Sequence, residues 1–341
     1  MSAAVKAYRE DGILWTDFKS RRANRENCRA AFEISRYFQD NLKTAGYSHF
    51  PADSVSKIDS RLHTFSPPVI LYNITFVQGG TAVAALLSVH DLCYTYHTPK
   101  ADTLALQNIS FSVEQGEFVS IVGPSGCGKS TLLSIIAGLN HPDSGTITLH
   151  TDAVHPVGYM FQHDHLLEWR TILSNACLGL EIRGALTPEN KEYVRQMLHQ
   201  YGLGDFTGHR PSQLSGGMRQ RAALVRTLAL KPELLLLDEP FSALDYQTRL
   251  SVADEIWRIL RRTGKTAVLV THDISEAISL GDRVIVLSSR PGEVLYDMTT
   301  DFGPDRSPLS VRSLPLFQTY FQKIWKAMTQ PEGDVSHAPQ P

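Results

Sequence analysis

The spacing of apolar positions changes several times after Leu86, and each change marks an element. Ile109, Phe111 and Val113 alternate with polar residues, which predicts a strand closed by the turn Gln115-Gly116. Residues 118–122 are a second strand, and Asp143-Ser144-Gly145 turns the chain into a third over 146–149. A helical block follows. Thr187 can cap a helix with Pro188 at its first position. Val194, Met197, Leu198 and Tyr201 then fall at i, i+3, i+4 and i+7, and Gly202 ends the helix. Further helices are predicted over 219–230 and 250–260. Residues 234–237 are four leucines in a row, which suits a strand covered on both faces of a parallel sheet. Residues 267–270 and 284–287 read as strands too. Strands alternating with helices mean an α/β fold. A last amphipathic helix carries Phe317, Tyr320, Phe321, Ile324 and Met328 on one side, and the chain from Gln330 is rich in proline, which predicts disorder.

The first 82 residues have a different texture. Arg21, Arg22, Arg25 and Arg29 cluster, the periodicity is poor, and only 27–42 reads as a helix. This segment is expected to be an extension, as an accessory helix region, a fused fragment or a start-site artefact that is poorly packed. The third reading rests on Gln78-Gly79-Gly80-Thr81, which purine-rich codons can encode, and on Val83, which can be a GTG start. The expected organisation is an extension over 1–82, one main domain over 83–295 with a helical subdomain at about 163–232, and a tail over 296–341.

Composition then narrows the function classes. Of 341 residues, 42% are hydrophobic and 20% charged, which is globular, and a net charge of −2 gives no electrostatic footprint for nucleic acid. Cys28, Cys93, Cys127 and Cys177 are scattered without a C-x-x-C pair, which fits a reducing compartment. No apolar run approaches the ~18 residues of a membrane helix, and no signal peptide is visible at the start. Any work at a membrane therefore needs another chain to span it.

The chemistry begins at Gly123, Pro124, Ser125, Gly126, Cys127, Gly128, Lys129, Ser130 and Thr131. This is G-x-x-x-x-G-K-S between a strand and an apolar helix, the context that the pattern requires. Its glycines let backbone N–H groups turn inward around phosphate oxygens, and the helix start adds partial positive charge. Lys129 would neutralise the β- and γ-phosphates, Ser130 would bind Mg²⁺, and Thr131 would sit near the α-phosphate. Cys127 occupies a variable position and reads as filler. After the leucine run, Asp238 would hold Mg²⁺ and Glu239 would polarise an attacking water. Alone, Asp238 would be an ordinary strand-end carboxylate. Paired with the loop, it is read as functional.

Leu214-Ser-Gly-Gly-Met-Arg-Gln-Arg221 opens a helix, so Ser215, Gly216 and Gly217 form a second anion-binding helix end. This stretch resembles the signature of ABC ATPases, and the other elements of that family stand in order. Tyr96 matches the adenine-stacking aromatic, with Tyr94 as its rival. Gln162 matches the Q-loop glutamine, which also reaches Mg²⁺. Ser242 to Asp245 match the D-loop, and His272 in Val270-Thr-His-Asp273 matches the switch histidine. Alone, Gln162 would be any loop amide and His272 a structural histidine; their ordered company decides. His163 and His165 have no such support and are expected to be solvated.

The resemblance covers about residues 86–295. It implies a P-loop NTPase with a RecA-like parallel-sheet core, an antiparallel β subdomain and an inserted helical subdomain. It also implies an ATPase whose two cassettes pack head to tail around ATP, a homodimer being the simplest pair. Residues 166–171, Leu-Leu-Glu-Trp-Arg-Thr, with Asn175 and 178–184, resemble the cassettes of nitrate, sulfonate and taurine importers, which have proline where Glu168 stands. That likeness implies transmembrane permease subunits, an extracytoplasmic solute-binding protein, and a peripheral place on the cytoplasmic face of the membrane. An importer motor for another small solute such as a thiamine precursor is the alternative, and a soluble non-transport ABC ATPase a more distant one. The tail after Arg290 is too short for a regulatory β-domain like that of sugar-importer cassettes.

Overall fold

The structure is a computed structural model of the chain; it describes residues 74–76, 85–99, 101–242, 244–303 and 306–329. The helix expected over 27–42, the start expected at Val83 and the end beyond Gln330 lie outside these residues.

Two sheets carry the architecture. The first has β1 (Ile74–Phe76), β2 (Leu87–His97), β3 (Asp102–Val113) and β5 (Ser144–Leu149) in the order β1-β5-β2-β3. β2 runs antiparallel to both β3 and β5, while β1 is parallel to β5. β1 falls inside the segment expected to be an extension, so pairing with this sheet begins before residue 83. The second sheet has the order β10-β9-β4-β8-β7-β6, formed by β4 (Phe118–Val122), β6 (Val157–Met160), β7 (Leu234–Asp238), β8 (Thr266–Thr271), β9 (Arg283–Leu287) and β10 (Val294–Thr299). It is parallel except for the β9–β10 hairpin.

The four leucines of β7 show why that sheet is buried on both faces. Leu234 and Leu236 pack with the first sheet and with α1 (Lys129–Ile136), while Leu235 and Leu237 pack with a helical block on the other side. Each fully buried leucine contributes about 1.5–3 kcal/mol of transfer free energy. The block consists of α2 (Ile172–Ala176), α3 (Leu178–Ile182), α4 (Pro188–Gln200) and α5 (Gly216–Leu228). α4 is capped as its sequence predicts: the Thr187 side chain accepts from the Asn190 N–H.

α6 (Tyr246–Arg262), α7 (Ile274–Leu280), α8 (Pro308–Val311) and α9 (Pro315–Thr329) complete the chain. The predicted apolar face of α9 packs as expected: Phe317 and Ile324 are buried, with Tyr320, Phe321 and Met328 beside them, against α7 and β9. α7 was not predicted. Its start is held by Asp273, whose side chain accepts from the Ser275 and Glu276 N–H groups.

Glu276 gives α7 a pH dependence. It is buried beside a small cavity that Arg249 and Arg312 also line. Burial pushes its carboxyl up to about 7; Asp273 adds to the rise, while the Thr271 hydroxyl that donates to it, Arg249 and Arg312 act against it. The native state therefore keeps a proton that the unfolded chain releases at ordinary carboxylate pH. This contribution to stability is complete below about 4.5 and is lost as pH rises through about 7, an effect on the order of 3 kcal/mol. The melting temperature is expected to fall between about pH 4.5 and 7 and to level off above that, and Glu276→Gln, which mimics the protonated form, is expected to flatten that fall. Parallel melting profiles for the two proteins would contradict the assignment.

Candidate active site

The strand register brings the predicted site residues together. Val122 of β4 pairs with Thr271 of β8, Asp238 of β7 with Val270, and Met160 of β6 with Leu237. The carboxyl ends of these four parallel strands are therefore level. The loop from Gly123, then His272, Glu239 and Gln162, all leave the sheet at that one edge, where open α/β sheets hold their ligands.

The phosphate loop is shaped by its surroundings. Gly128 has φ +105°, and a Cβ there would lie 2.6 Å from Leu106 Cδ2 and 2.9 Å from the Ala105 carbonyl. Glycine is thus required twice, for backbone hand and for space. The Lys129 side chain is buried, and its ammonium donates to the carbonyls of Gly123 (2.8 Å) and Pro124 (2.9 Å). Ser130 and Thr131 follow in the first turn of α1. Cys127 is buried, and burial pushes its thiol up, away from the reactive thiolate, which agrees with its reading as filler.

Asp238 is buried with both carboxylate oxygens engaged: the Ser130 hydroxyl donates to Oδ1 at 2.9 Å and the Tyr159 hydroxyl to Oδ2 at 3.0 Å. Burial pushes its carboxyl up, and the two hydroxyls counter this by favouring the charged form. A hydroxyl and a carboxylate held together are hard oxygen donors, which suits Mg²⁺ shared with phosphates. Sequence reasoning does not single out Tyr159. Its signal was its place at the end of a strand beside β7.

Glu239 gathers the remaining groups. Its Oε2 accepts from Gln162 Nε2 at 3.3 Å and lies 3.1 Å from His272 Nδ1. Its backbone is left-handed, with φ 43°, which costs a non-glycine residue on the order of 1 kcal/mol. Two contacts hold it there: its N–H donates to Val270 O at 2.9 Å, and the Ser242 hydroxyl donates to its carbonyl at 3.0 Å. The strain falls on the carboxylate that Gln162 and His272 share.

Tyr96 and Tyr94 differ in where they lie. The Tyr96 hydroxyl is 2.8 Å from Thr131 Oγ1, next to the phosphate loop, whereas Tyr94 packs into the core behind the loop and burial pushes its hydroxyl up. Ser215 lies elsewhere. It caps α5, its hydroxyl accepting from the Met218 N–H at 3.4 Å, so the helix begins three residues before the predicted 219. Gly217 is buried and packs so close to Thr248 and Val252 of α6 that a Cβ would lie 2.9 Å from Thr248 Cγ2. Asp245 caps α6 by accepting from the Thr248 N–H at 3.1 Å, and the Thr248 side chain together with that N–H holds its carboxyl below the usual range. Among the described residues no hydrogen bond joins Ser215, Gly216, Gly217 or Asp245 to the phosphate loop.

The chain after Gln162 is clamped to α5. Arg219 donates to Asp164 (3.0 Å) and to the Leu214 carbonyl (3.0 Å), while Arg226 donates to the carbonyls of Asp164 and His165, both at 2.7 Å. His165 corrects an expectation. It is half-buried against Phe161, and burial lowers its affinity for a proton, whereas His163 is exposed as expected. Leu166 and Leu167 are buried and Glu168 and Trp169 exposed, so the Leu-Leu-Glu-Trp-Arg-Thr segment presents its middle to the surface. The buried Asn175 amide ties it down, accepting from the Leu167 N–H (2.7 Å) and donating to its carbonyl (3.0 Å). Among the described residues no helix is long and apolar enough to cross a membrane.

Comparison with known proteins agrees with this geometry. Residues 106–242 match the family described as ABC transporter. An uncharacterized ABC transporter ATP-binding protein of Bacillus subtilis (strain 168), YtlC, is 46% identical over 254 residues, which cover 73% of this chain and 97% of that protein. The nitrate import ATP-binding protein NrtD of Synechocystis sp. is 38% identical over 74% of this chain and 98% of its own length. The taurine import ATP-binding protein TauB of Yersinia pestis bv. Antiqua is 44% identical over 58% of this chain and 80% of its own. Among solved structures, the dimeric post-hydrolysis state of the cassette MJ0796 bound to ADP and Pi is 34% identical, with a TM-score of 0.55, and covers 64% of this chain and all of that one.

Proposed function

This chain belongs to the ABC transporter ATP-binding proteins, a family of ATPases, and from that premise we propose that it is the motor subunit of an importer for a small solute of the nitrate, sulfonate and taurine class. The observation that carries the proposal is the double position of Gln162. Its side chain rests on Glu239, and the backbone that follows it forms the exposed turn at Glu168 and Trp169. A shift at that turn is therefore a shift of the group that touches the catalytic carboxylate.

In this reading Tyr96 stacks on adenine, the loop of Gly123, Pro124, Ser125, Gly126, Cys127 and Gly128 surrounds the phosphates with the N–H groups of its residues other than Pro124, which has none, and Lys129 neutralises them. Thr131 approaches the α-phosphate. Ser130, Asp238 and Gln162 hold Mg²⁺, which when bound offsets phosphate charge. Glu239 orients the attacking water by accepting its hydrogen bond, and His272 contacts the γ-phosphate. Ser215, Gly216, Gly217 and Asp245 serve the ATP of a second cassette, most simply another copy of this chain. ATP closes the pair and phosphate loss opens it, an ordinary ligand switch. The turn at Glu168 and Trp169 receives the cytoplasmic part of a separate transmembrane permease, and an extracytoplasmic solute-binding protein acts through that permease. The chain then sits peripherally on the cytoplasmic face of the membrane.

The test is reconstitution. The tagged chain, expressed from its native locus, is expected to co-purify from solubilised membranes with a permease. In proteoliposomes its ATPase is expected to rise several-fold when nitrate, an alkanesulfonate or taurine is supplied with the binding protein. Stimulation by a thiamine precursor alone would move the substrate class. Purification without any membrane partner would overturn the importer assignment and leave the ATPase intact.

A further inference from the structure

The loop between β9 and β10, residues 288–293, touches the phosphate loop at a point that nucleotide binding does not by itself explain. The Arg290 guanidinium donates twice to one acceptor, the Gly126 carbonyl, from Nε at 3.1 Å and from a terminal nitrogen at 2.9 Å. Arg290 is placed by its neighbour. Gly292 is hydrogen-bonded in both directions to β3, donating to Ala105 O at 2.9 Å and accepting from the Gln107 N–H at 3.0 Å. It also lies so close to the phosphate loop that a Cβ on it would be 2.3 Å from the Cys127 carbonyl. The loop is thus wedged between the first sheet and residues 126–127, with Arg290 laid across the outer side.

We propose that Arg290 is a positioning residue for nucleotide binding, which fixes the Gly126–Cys127 peptide so that its N–H faces the phosphates; this rests on residues 123–131 being the phosphate cradle. The peptide unit is planar, and its carbonyl and N–H point in opposite directions. Gripping the Gly126 oxygen from outside therefore aims the Cys127 N–H inward. That N–H is directed at the Pro124 carbonyl, 3.3 Å away, the same oxygen that the Lys129 ammonium meets at 2.9 Å. Gly126 has φ +78° and no side chain, so its own sterics leave the peptide freer to rotate than any other residue would. An external grip supplies the order that glycine does not. A charge-assisted donor is suited to this, since it holds a carbonyl more strongly than a neutral one does.

The full-length chain tests this with a fluorescent ADP, N-methylanthraniloyl-ADP, which needs no second cassette, and with steady-state ATPase. R290A is expected to weaken binding of that ADP about tenfold and to raise the KM for ATP in parallel, with kcat at saturating ATP retained. R290K, which offers the carbonyl one donor direction in place of two, is expected to fall between R290A and the parent. It carries the test if R290A lowers the melting temperature. Parent-like binding by R290A, or R290K as weak as R290A, would overturn the grip. A loss of kcat at unchanged KM would place Arg290 on the transferring phosphate and overturn it as well. K129A is the reference. If K129A loses the fluorescent ADP and R290A does not, the positioning role fails alone; if neither loses it, the phosphate-cradle reading fails.

Discussion

Glu239→Gln should hold ATP as tightly as the parent and lower steady-state turnover about a thousandfold, the range found for removing a group that acts on the reacting atoms. The substitution keeps the shape of the side chain, so its footing is unchanged. The left-handed backbone stays fixed by the bond to Val270 and by the Ser242 hydroxyl, and the amide oxygen can still accept from Gln162. What it removes is the negative charge beside His272, and with it the pull on a water hydrogen. In the proposed reading binding draws on other parts: the loop N–H groups, Lys129 and Tyr96. ATP should therefore load, close the cassette pair and remain. Gel filtration with ATP should show a stable dimer for the variant and a monomer for it without nucleotide. Near-parental phosphate release by Glu239→Gln would remove the assigned role.

How legible this site was depended on the range of each interaction. The phosphate loop, the leucine strand and the carboxylates after it are local patterns, and the structure places β4 and β7 where the sequence does. β2 was not read as a strand, for a physical reason. Its pairing with β3 shifts register three times between Val89 and Thr95, and Asp91 has φ 49°, so the period-2 alternation that marks a strand is erased. Four-residue β6 with Gly158 inside it carries too little periodicity to stand out. The α5 boundary was set three residues late because Gly216 and Gly217 are poor helix formers. Tertiary packing overrides that preference, since Gly217 is the residue that lets α5 approach α6.

The contacts that join the site to the rest of the protein were not legible at all. Arg219 with Asp164, Arg226 with the carbonyls of residues 164 and 165, and Arg290 with Gly126 span 55, 61, 62 and 164 positions along the chain. No periodicity announces such pairs. The substitution at Glu168 is clarified by the same kind of detail. Arg170 N–H donates to Leu167 O at 3.0 Å, so Glu168 occupies the second position of a turn, where proline is favoured but other residues fit. The departure from the importer pattern alters the chemistry offered to a partner and leaves the turn intact.

Ser215→Arg should abolish turnover while the isolated chain still binds ATP. In the structure Ser215 is exposed, and its hydroxyl accepts from the Met218 N–H at the start of α5. Arginine cannot accept, so the cap is lost at about 1 kcal/mol, a cost that a folded domain absorbs. Nothing on the chain's own phosphate loop changes, since Lys129 is held by the Gly123 and Pro124 carbonyls and Asp238 by the Ser130 and Tyr159 hydroxyls. Loss of activity without loss of binding therefore points to a site completed by another copy. A mixing experiment makes that inference sharp. Lys129→Ala is defective in the loop and Ser215→Arg in the signature, and each alone should be inactive. In a two-fold head-to-tail pair made of one of each, both defects fall on the same ATP site, and the other site has an intact loop and an intact signature. Mixing two inactive proteins should then restore turnover, up to about a quarter of the parental rate if chains pair at random and sites act independently. Were each site built within one chain, every chain in the mixture would carry a defect, and the mixture would stay inactive. Silence from the mixture, with the Ser215→Arg chain still binding ATP, would rule out the shared site.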